Sequence, residues 1–196
     1  MPTKNIWNST IPVALSLGGT NATTFATSTG IIKYDGTGLV TSATALINSS
    51  NIYTNTSQPR FFAYNSVADL NVTGAGTAYS YVCDTELYDV GGNYNAGTGI
   101  FTAPVTGCYF FQAKCVLVGC TIASGCTLLI KTTSIDIKCM VARTAVNNDL
   151  ATSLTYSIYM TAGDTAYPIV TASGEAGDID DVTTDSRTSF QGCLLT

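Results

Sequence analysis

The densest group of oxygen ligands in the chain is the segment EAGDIDDVTTD, from Glu175 to Asp185. Closely spaced carboxylates in a glycine-containing loop suit a hard cation such as calcium, which takes several oxygens at flexible geometry. Asp178, Asp180 and Asp181 are the candidate ligands. The spacing departs from an EF-hand loop, which carries Gly at its sixth position and Glu at its twelfth. A solvated acidic loop is the competing reading. The other soft and nucleophilic groups are seven cysteines, at 83, 108, 115, 120, 126, 139 and 193. No C-x-x-C pair occurs among them, and the chain has no histidine, so a zinc site lacks its usual ligands. The cysteines read as small hydrophobes within strands. Under oxidising conditions Cys120 and Cys126, which flank an expected turn at Ser124-Gly125, are the first pair to examine.

The same inventory argues against catalysis. Without histidine, the usual general base near neutral pH is missing, and a serine or cysteine nucleophile lacks its customary partner. No catalytic residues are assigned. A net charge of -5 and a pI near 4.3 provide no basic footprint for nucleic acid. No apolar run reaches the length of a membrane-spanning helix, so membrane insertion is not expected. Charged residues make up only 11% of the chain, while Tyr, Thr, Ser, Asn and Gly are abundant. That balance favours β-structure with polar, uncharged surfaces, and the class expected is all-β.

These groups must be positioned by strands, and the stretch from Tyr88 to Val118 organises them. Gly91-Gly92 ends a first strand at Val90, and the chain is extended again from Ile100. After a bend at Pro104 and Gly107, the run Cys108 to Val118 is apolar on both alternating faces. Tyr109, Phe111, Ala113, Cys115 and Leu117 point one way, and Phe110, Val116 and Val118 the other. An antiparallel strand in a monomer ordinarily keeps one wet face. A strand with aromatics on both sides needs a second cover, which further copies of the chain can supply. By strand parity, Phe110 and Tyr159, with Val116 beside them, are the candidates for such a contact. Further strands are expected over Phe61 to Asn65, Tyr81 to Val90, Thr127 to Thr132, Ser134 to Val141, Leu154 to Thr161, Ala166 to Ala172 and Ser189 to Leu195. Ala68 to Tyr79 reads as loop or edge.

The spacing of Tyr94, Asn95, Gly99, Phe101, Thr102, Gly107, Tyr109 and Phe111 resembles the signature of the C1q/TNF-like globular domain, Y-N-x-x-x-G-x-F leading to G-x-Y-x-F. Phe61 within R-F-F-A is similar to that domain's first strand. Ser189 to Leu195, with Phe190 and Gly192, is similar to its closing S-F-x-G-x-L-L strand. The resemblance covers about residues 59–196. It implies a jelly-roll sandwich and a homotrimer, and it says nothing about residues 1–58.

Residues 1–58 carry three charged side chains, Lys4, Lys33 and Asp35. Extended pieces at Ile11 to Leu17, Gly30 to Tyr34 and Leu39 to Thr41 are cut by glycines, with a hairpin signal at Tyr34-Asp35-Gly36-Thr37. Ala45 to Gln58 reads as a polar linker. A β-rich stalk or docking segment is expected, with a flexible leader as the competing reading: Gly18 to Phe25, GGTNATTF, resembles the G-G-T-x-A-T-x-F-rich shafts ahead of fibre tips in tailed phages. The N-terminus makes a poor signal peptide. The function expected is therefore a homotrimeric, non-enzymatic viral fibre or spike protein, most simply of a phage. It would be assembled in a host cytoplasm and exposed on the virion. Its N-terminal segment would bind other virion proteins, and its head would bind a host cell-surface glycan or protein through residues 144–149 and 174–186. The alternatives are a cellular or secreted C1q-like adhesion or lectin module and a purely structural capsid or tail decoration.

Overall fold

The structure is a computed structural model that describes residues 30–34, 39–47, 53–55, 57–120, 125–142 and 149–195; before residue 57, and at Ala142, it describes the backbone alone. The chain divides into two units, Met1–Ser57 and Gln58–Thr196. In the first, β1 (Gly30–Tyr34), β2 (Leu39–Ile47) and β3 (Tyr53–Asn55) form an antiparallel sheet in the order β1-β2-β3. Lys33 lies opposite Val40, and Leu46 opposite Thr54. The expected linker from Ala45 is thus partly sheet: β2 continues to Ile47 because Thr41, Ala43, Ala45 and Ile47 keep an extended, alternating pattern, and β3 pairs back onto it. The expected extended piece Ile11 to Leu17 and the turn residues 35–38 lie outside the described residues.

The second unit is a two-sheet sandwich. Its strands are β4 (Arg60–Asn65), β5 (Asp69–Thr73), β6 (Ala78–Tyr79), β7 (Thr85–Val90), β8 (Tyr94–Asn95), β9 (Ile100–Thr102), β10 (Gly107–Val118), β11 (Gly125–Thr132), β12 (Asp136–Ala142), β13 (Leu150–Met160), β14 (Thr165–Ser173), β15 (Asp180–Val182) and β16 (Asp185–Leu194). The seven-stranded sheet runs β5-β15-β10-β16-β4-β7, with β13 on the other side of β10. The six-stranded sheet runs β12-β11-β14-β9-β8, with β6 on β14. Their inner faces enclose one core that includes Phe61, Tyr109, Phe111, Leu117, Leu128, Ile130, Val170 and Phe190. Period-2 patterning selects the faces: along β11 the buried residues are Cys126, Leu128, Ile130 and Thr132, and along β14 they are Ala166, Pro168, Val170 and Ala172. Each large apolar side chain so buried contributes about 1.5–3 kcal/mol.

β10 holds the sheet together. It pairs with β13 from Gly107 to Leu117, and on its other edge with β16 from Tyr109 to Lys114, then with β15 at Leu117 and Val118. The fold differs from the sequence expectation in several places; β16, for one, starts at Asp185, four residues before the expected Ser189. The strand expected over Tyr81 to Val90 begins only at Thr85. Tyr81 and Cys83 are fully buried without being in a strand, because the Tyr81 hydroxyl donates to the Lys114 carbonyl at 3.1 Å and the Tyr94 hydroxyl to the Cys83 carbonyl at 2.8 Å. β13 starts at Leu150, four residues early, since Leu150 and Thr152 are buried against β10. Within Ala68 to Tyr79 two short strands form, β5 against β15 and β6 against β14. β15 itself lies within the segment expected to be a solvated acidic loop.

Candidate functional site

The signature residues build the core rather than a reactive site. Phe61 on β4 stacks on Tyr94 (centroids 4.7 Å, interplanar angle 7°) and on Phe101 (5.1 Å, 14°), and meets Phe190 edge-on (5.1 Å, 67°). Phe111 stacks on Phe190 at 5.7 Å and on Tyr109 at 6.2 Å. Offset and edge arrangements of this kind add about 0.5–1.5 kcal/mol per pair beyond burial. The Tyr109 hydroxyl donates to the Val105 carbonyl at 2.7 Å. Asn95 shapes the turn before β9: its Oδ1 accepts from the Gly97 amide at 2.9 Å, and its carbonyl from the Gly99 amide at 2.8 Å. Gly99 has φ +73, with the Tyr81 carbonyl and Val82 Cα 3.4 Å from where a Cβ would stand. Gly107 opens β10, buried opposite Met160. Gly192 leaves room for a ring: a Cβ there would lie 2.5 and 2.7 Å from two Phe111 ring carbons.

The acidic segment sends its carboxylates to separate partners. Asp178 accepts from the Ala75 amide (3.1 Å) and the Thr77 hydroxyl (2.6 Å), and Asp181 from the Asn71 amide (2.7 Å). These two carboxylates tie the segment to β5 and the turn after it. Asp180 is fully buried on β15, beside the Cys120 thiol. Burial pushes its carboxyl up, and the neighbouring charges of Glu175, Asp181 and Asp178 push the same way. Among the described residues, no group of three or more His, Cys, Asp or Glu is placed to hold a metal ion. The calcium expectation for Asp178, Asp180 and Asp181 therefore finds no assembled ligand set, because two of the three are engaged by backbone amides and the third is enclosed. The only sequence signal for this was Val182, which shares a face with Asp180 and pulls it inward.

All seven cysteines are free thiols. Cys83, Cys115, Cys120 and Cys126 are buried, and burial pushes the Cys83 and Cys126 thiols up to about 12. Cys108, Cys115, Cys126, Cys139 and Cys193 lie in strands as expected; Cys83 and Cys120 do not.

The outer face of the seven-stranded sheet is where apolar groups remain uncovered. Phe110 lies opposite Ser157 on β13 and Cys193 on β16, and Tyr159 lies one step along, opposite Cys108. Tyr159 is 67% exposed and Phe110 is half-buried. The face continues across β16 to Phe62 on β4 and Tyr88 on β7, whose rings are 6.3 Å apart. A shallow groove of about 220 Å³ runs along it, lined by Arg60, Tyr88, Phe110, Gln191 and Cys193 among others. Gln191 donates to Gln112 at 2.6 Å across the middle of the face. Sequence parity placed Phe110 and Tyr159 together and missed Phe62 and Tyr88, which β4 and β7 bring to the same surface. Val116 shares the face, but six residues on, roughly 20 Å along the strand. It is only 8% exposed within one chain. Of the two expected contact loops, residues 143–148 lie outside the described residues, and 174–186 contains β15.

A two-sheet jelly roll whose signature residues serve its core, and whose outer sheet face stays partly apolar, has the fold of the C1q/TNF class. The chain belongs to the C1q domain family, whose profile matches residues 66–195. Members of this class are often trimeric and are generally non-enzymatic binding modules. The globular domain of a zebrafish complement 1qA protein is similar in fold, with 16% identity and a TM-score of 0.52 over 71% of this chain and 98% of that one. Murine APRIL, crystallised at pH 8.0, aligns with 9% identity and a TM-score of 0.50 over 70% of this chain and 99% of its own. No curated protein sequence matches the chain.

Proposed function

We propose that the chain is a homotrimeric, non-enzymatic recognition module, and that it forms the tip of a viral fibre or spike, most simply of a phage. The observation that carries the trimer is the outer face bearing Phe110, Tyr159, Phe62 and Tyr88. Aromatic side chains left exposed together on a sheet face call for a cover, and threefold assembly provides one, members of this class being often trimeric. Val116, already enclosed within its own chain, has little area left to bury between copies, so the contact centres on Phe110 and Tyr159. The viral assignment is supported by the low-charge β-rich segment 1–58, which would dock onto other virion proteins. Seven thiols with no disulfide suit assembly in a reducing host cytoplasm. The head would contact a host cell-surface glycan or protein, multiplying a weak contact threefold.

Native mass measurement tests the assembly. The purified chain is expected to be a trimer in dilute buffer, and Phe110→Asp is expected to give a folded monomer with the wild-type circular dichroism spectrum. A wild-type monomer would remove the trimer and the avidity that depends on it. Deleting the gene from its virus and measuring adsorption tests the recognition role. Unchanged attachment would leave a decorative particle protein, and the absence of the chain from any virion would favour a cellular C1q-like adhesion module.

A further inference from the structure

We propose that residues 174–181 form a pH-operated latch. With the Asp180 carboxyl protonated they lie closed, β15 sitting between β5 and β10; with it ionised they swing open about Val182 and Thr183. The latch is a property of one sandwich. Only its use in recognition rests on the reading above, in which residues 174–186 meet the host.

The two ends of the segment are held unequally. Its C-terminal end is a firm pivot: Val182 is fully buried, the Thr183 amide donates to the Val116 carbonyl at 2.9 Å, and the Thr183 and Thr188 hydroxyls bond at 3.1 Å. Ahead of that pivot the hold is slight. β15 meets β10 only at Leu117 and Val118, whereas β16 meets it from Tyr109 to Lys114. The register of β15 with β5 is irregular between Asp180 and Val182. Residues 174–179 belong to no strand, and they begin at Gly174, with φ +111. The Glu175 amide donates to the Gly74 carbonyl at 3.0 Å. The bonds from Asp178 and Asp181 to residues 71–77 are exposed, so water can replace them.

Asp180 supplies the load on this weak end. It is fully buried, with the Cys120 thiol, a weak donor, beside it, and neither oxygen accepts a well-formed hydrogen bond among the described residues. No lysine or arginine among them pairs with it. The titratable groups around it are all acids. Asp178 and Asp181 come from its own segment, the buried Glu175 from the turn after β14, Cys120 from the end of β10, and Cys126 from β11. β5 sets the uncharged Thr73 opposite it and Asp69 opposite Val182, and β10 brings Leu117 and Val118 against β15. A neutral carboxyl is tolerable in such a place, but a carboxylate without a cation or a donor is not. Ionisation therefore favours the conformer in which Asp180 reaches water. The closed segment holds the proton more tightly than the open one, so opening is least below the ordinary carboxylate value, about 4. It grows as pH rises through the closed value.

The test is hydrogen–deuterium exchange of the full chain from about pH 4 to neutrality, read peptide by peptide and corrected for the chemical exchange rate at each pH. Protection within residues 174–184 is expected to fall as pH rises, while peptides from β11 and β14 keep theirs. Asp180→Asn, which keeps the shape and cannot ionise, is expected to hold its protection across the range. Glu175→Gln removes one repelling charge and is expected to fall less than wild type. Wild-type protection that is flat with pH, or a fall that Asp180→Asn shares, overturns the latch. A fall spread equally over β11 and β14 also overturns it, since the charge then unfolds the sandwich rather than opening one segment. Should Asp180→Asn not fold, wild type against Glu175→Gln decides, and equal falls overturn the latch. The readout is local to one sandwich, so losing the latch leaves the trimeric module standing, and losing the trimer leaves the latch.

Discussion

At the residue scale, the family signature is a set of packing constraints, and Gly192 shows why. Its neighbour Phe111 is fully buried and stacked on Phe190, so its ring has no free direction to yield. Gly192→Ala sets a methyl 2.5 Å from that ring and 3.0 Å from the Phe110 carbonyl. Overpacking of this kind costs about 1–3 kcal/mol. Urea denaturation should show the loss as a lower midpoint at an unchanged slope. A wild-type midpoint would mean that the Phe111 ring has room the packing does not show. Such residues were legible in the sequence because spacing reports packing directly: Phe61, Tyr94, Phe101, Tyr109, Phe111 and Phe190 all fall in one aromatic cluster. Asp180 was not legible, because three carboxylates in four residues read as solvent-facing until the pairing of β15 with β5 and β10 is known.

At the scale of elements, β15 is the point of tension in the seven-stranded sheet. It is three residues long, yet it brings a carboxylate into the space between β5 and β10. Burial and the charges of Glu175, Asp181 and Asp178 raise that carboxyl above its ordinary value. A raised folded pKa means that the fold holds the proton more tightly than the unfolded chain does. The stabilisation it gives is full below the ordinary carboxylate value, about 4, and is lost as pH rises through the folded value. Asp180→Asn keeps the shape and removes the charge. The variant should be more stable than wild type near neutral pH, and thermal melts should show the gap closing as pH falls towards 4. Comparing the two proteins at each pH removes the opposing effect of Asp84 and Asp185, whose hydrogen bonds hold their carboxyls below the ordinary value. A gap that does not change with pH would place the Asp180 charge in contact with solvent. Strand identities for β10, β11 and β14 followed from alternation, and those of β4 and β16 also from their likeness to the family's first and closing strands, although β16 begins four residues before the expected Ser189. The start of β13 and the short strands β5, β6 and β15 did not, because their pairing partners lie far along the chain.

At the scale of the whole molecule, the thiols report whether the outer sheet face is covered. Cys83, Cys115, Cys120 and Cys126 are buried within one chain and should resist alkylation until the protein unfolds; for Cys83 and Cys126 the raised pKa also removes the thiolate that reacts. Cys108, Cys139 and Cys193 are partly exposed. Cys108 and Cys193 sit on the seven-stranded sheet beside Tyr159 and Phe110, whereas Cys139 is on the edge strand β12 of the other sheet. An isolated chain should therefore label at three positions, and a trimer closed over Phe110 should shield Cys108 and Cys193 while Cys139 still reacts. Mass spectrometry of the iodoacetamide-treated protein, read peptide by peptide, separates the two patterns. Phe110→Asp, which opens the contact, should restore labelling at Cys108 and Cys193 without exposing the four core thiols. If Cys108 and Cys193 label as fast in the native assembly as in that variant, the copies meet through some other surface, and the aromatic face of β10 and β13 is left for a different partner.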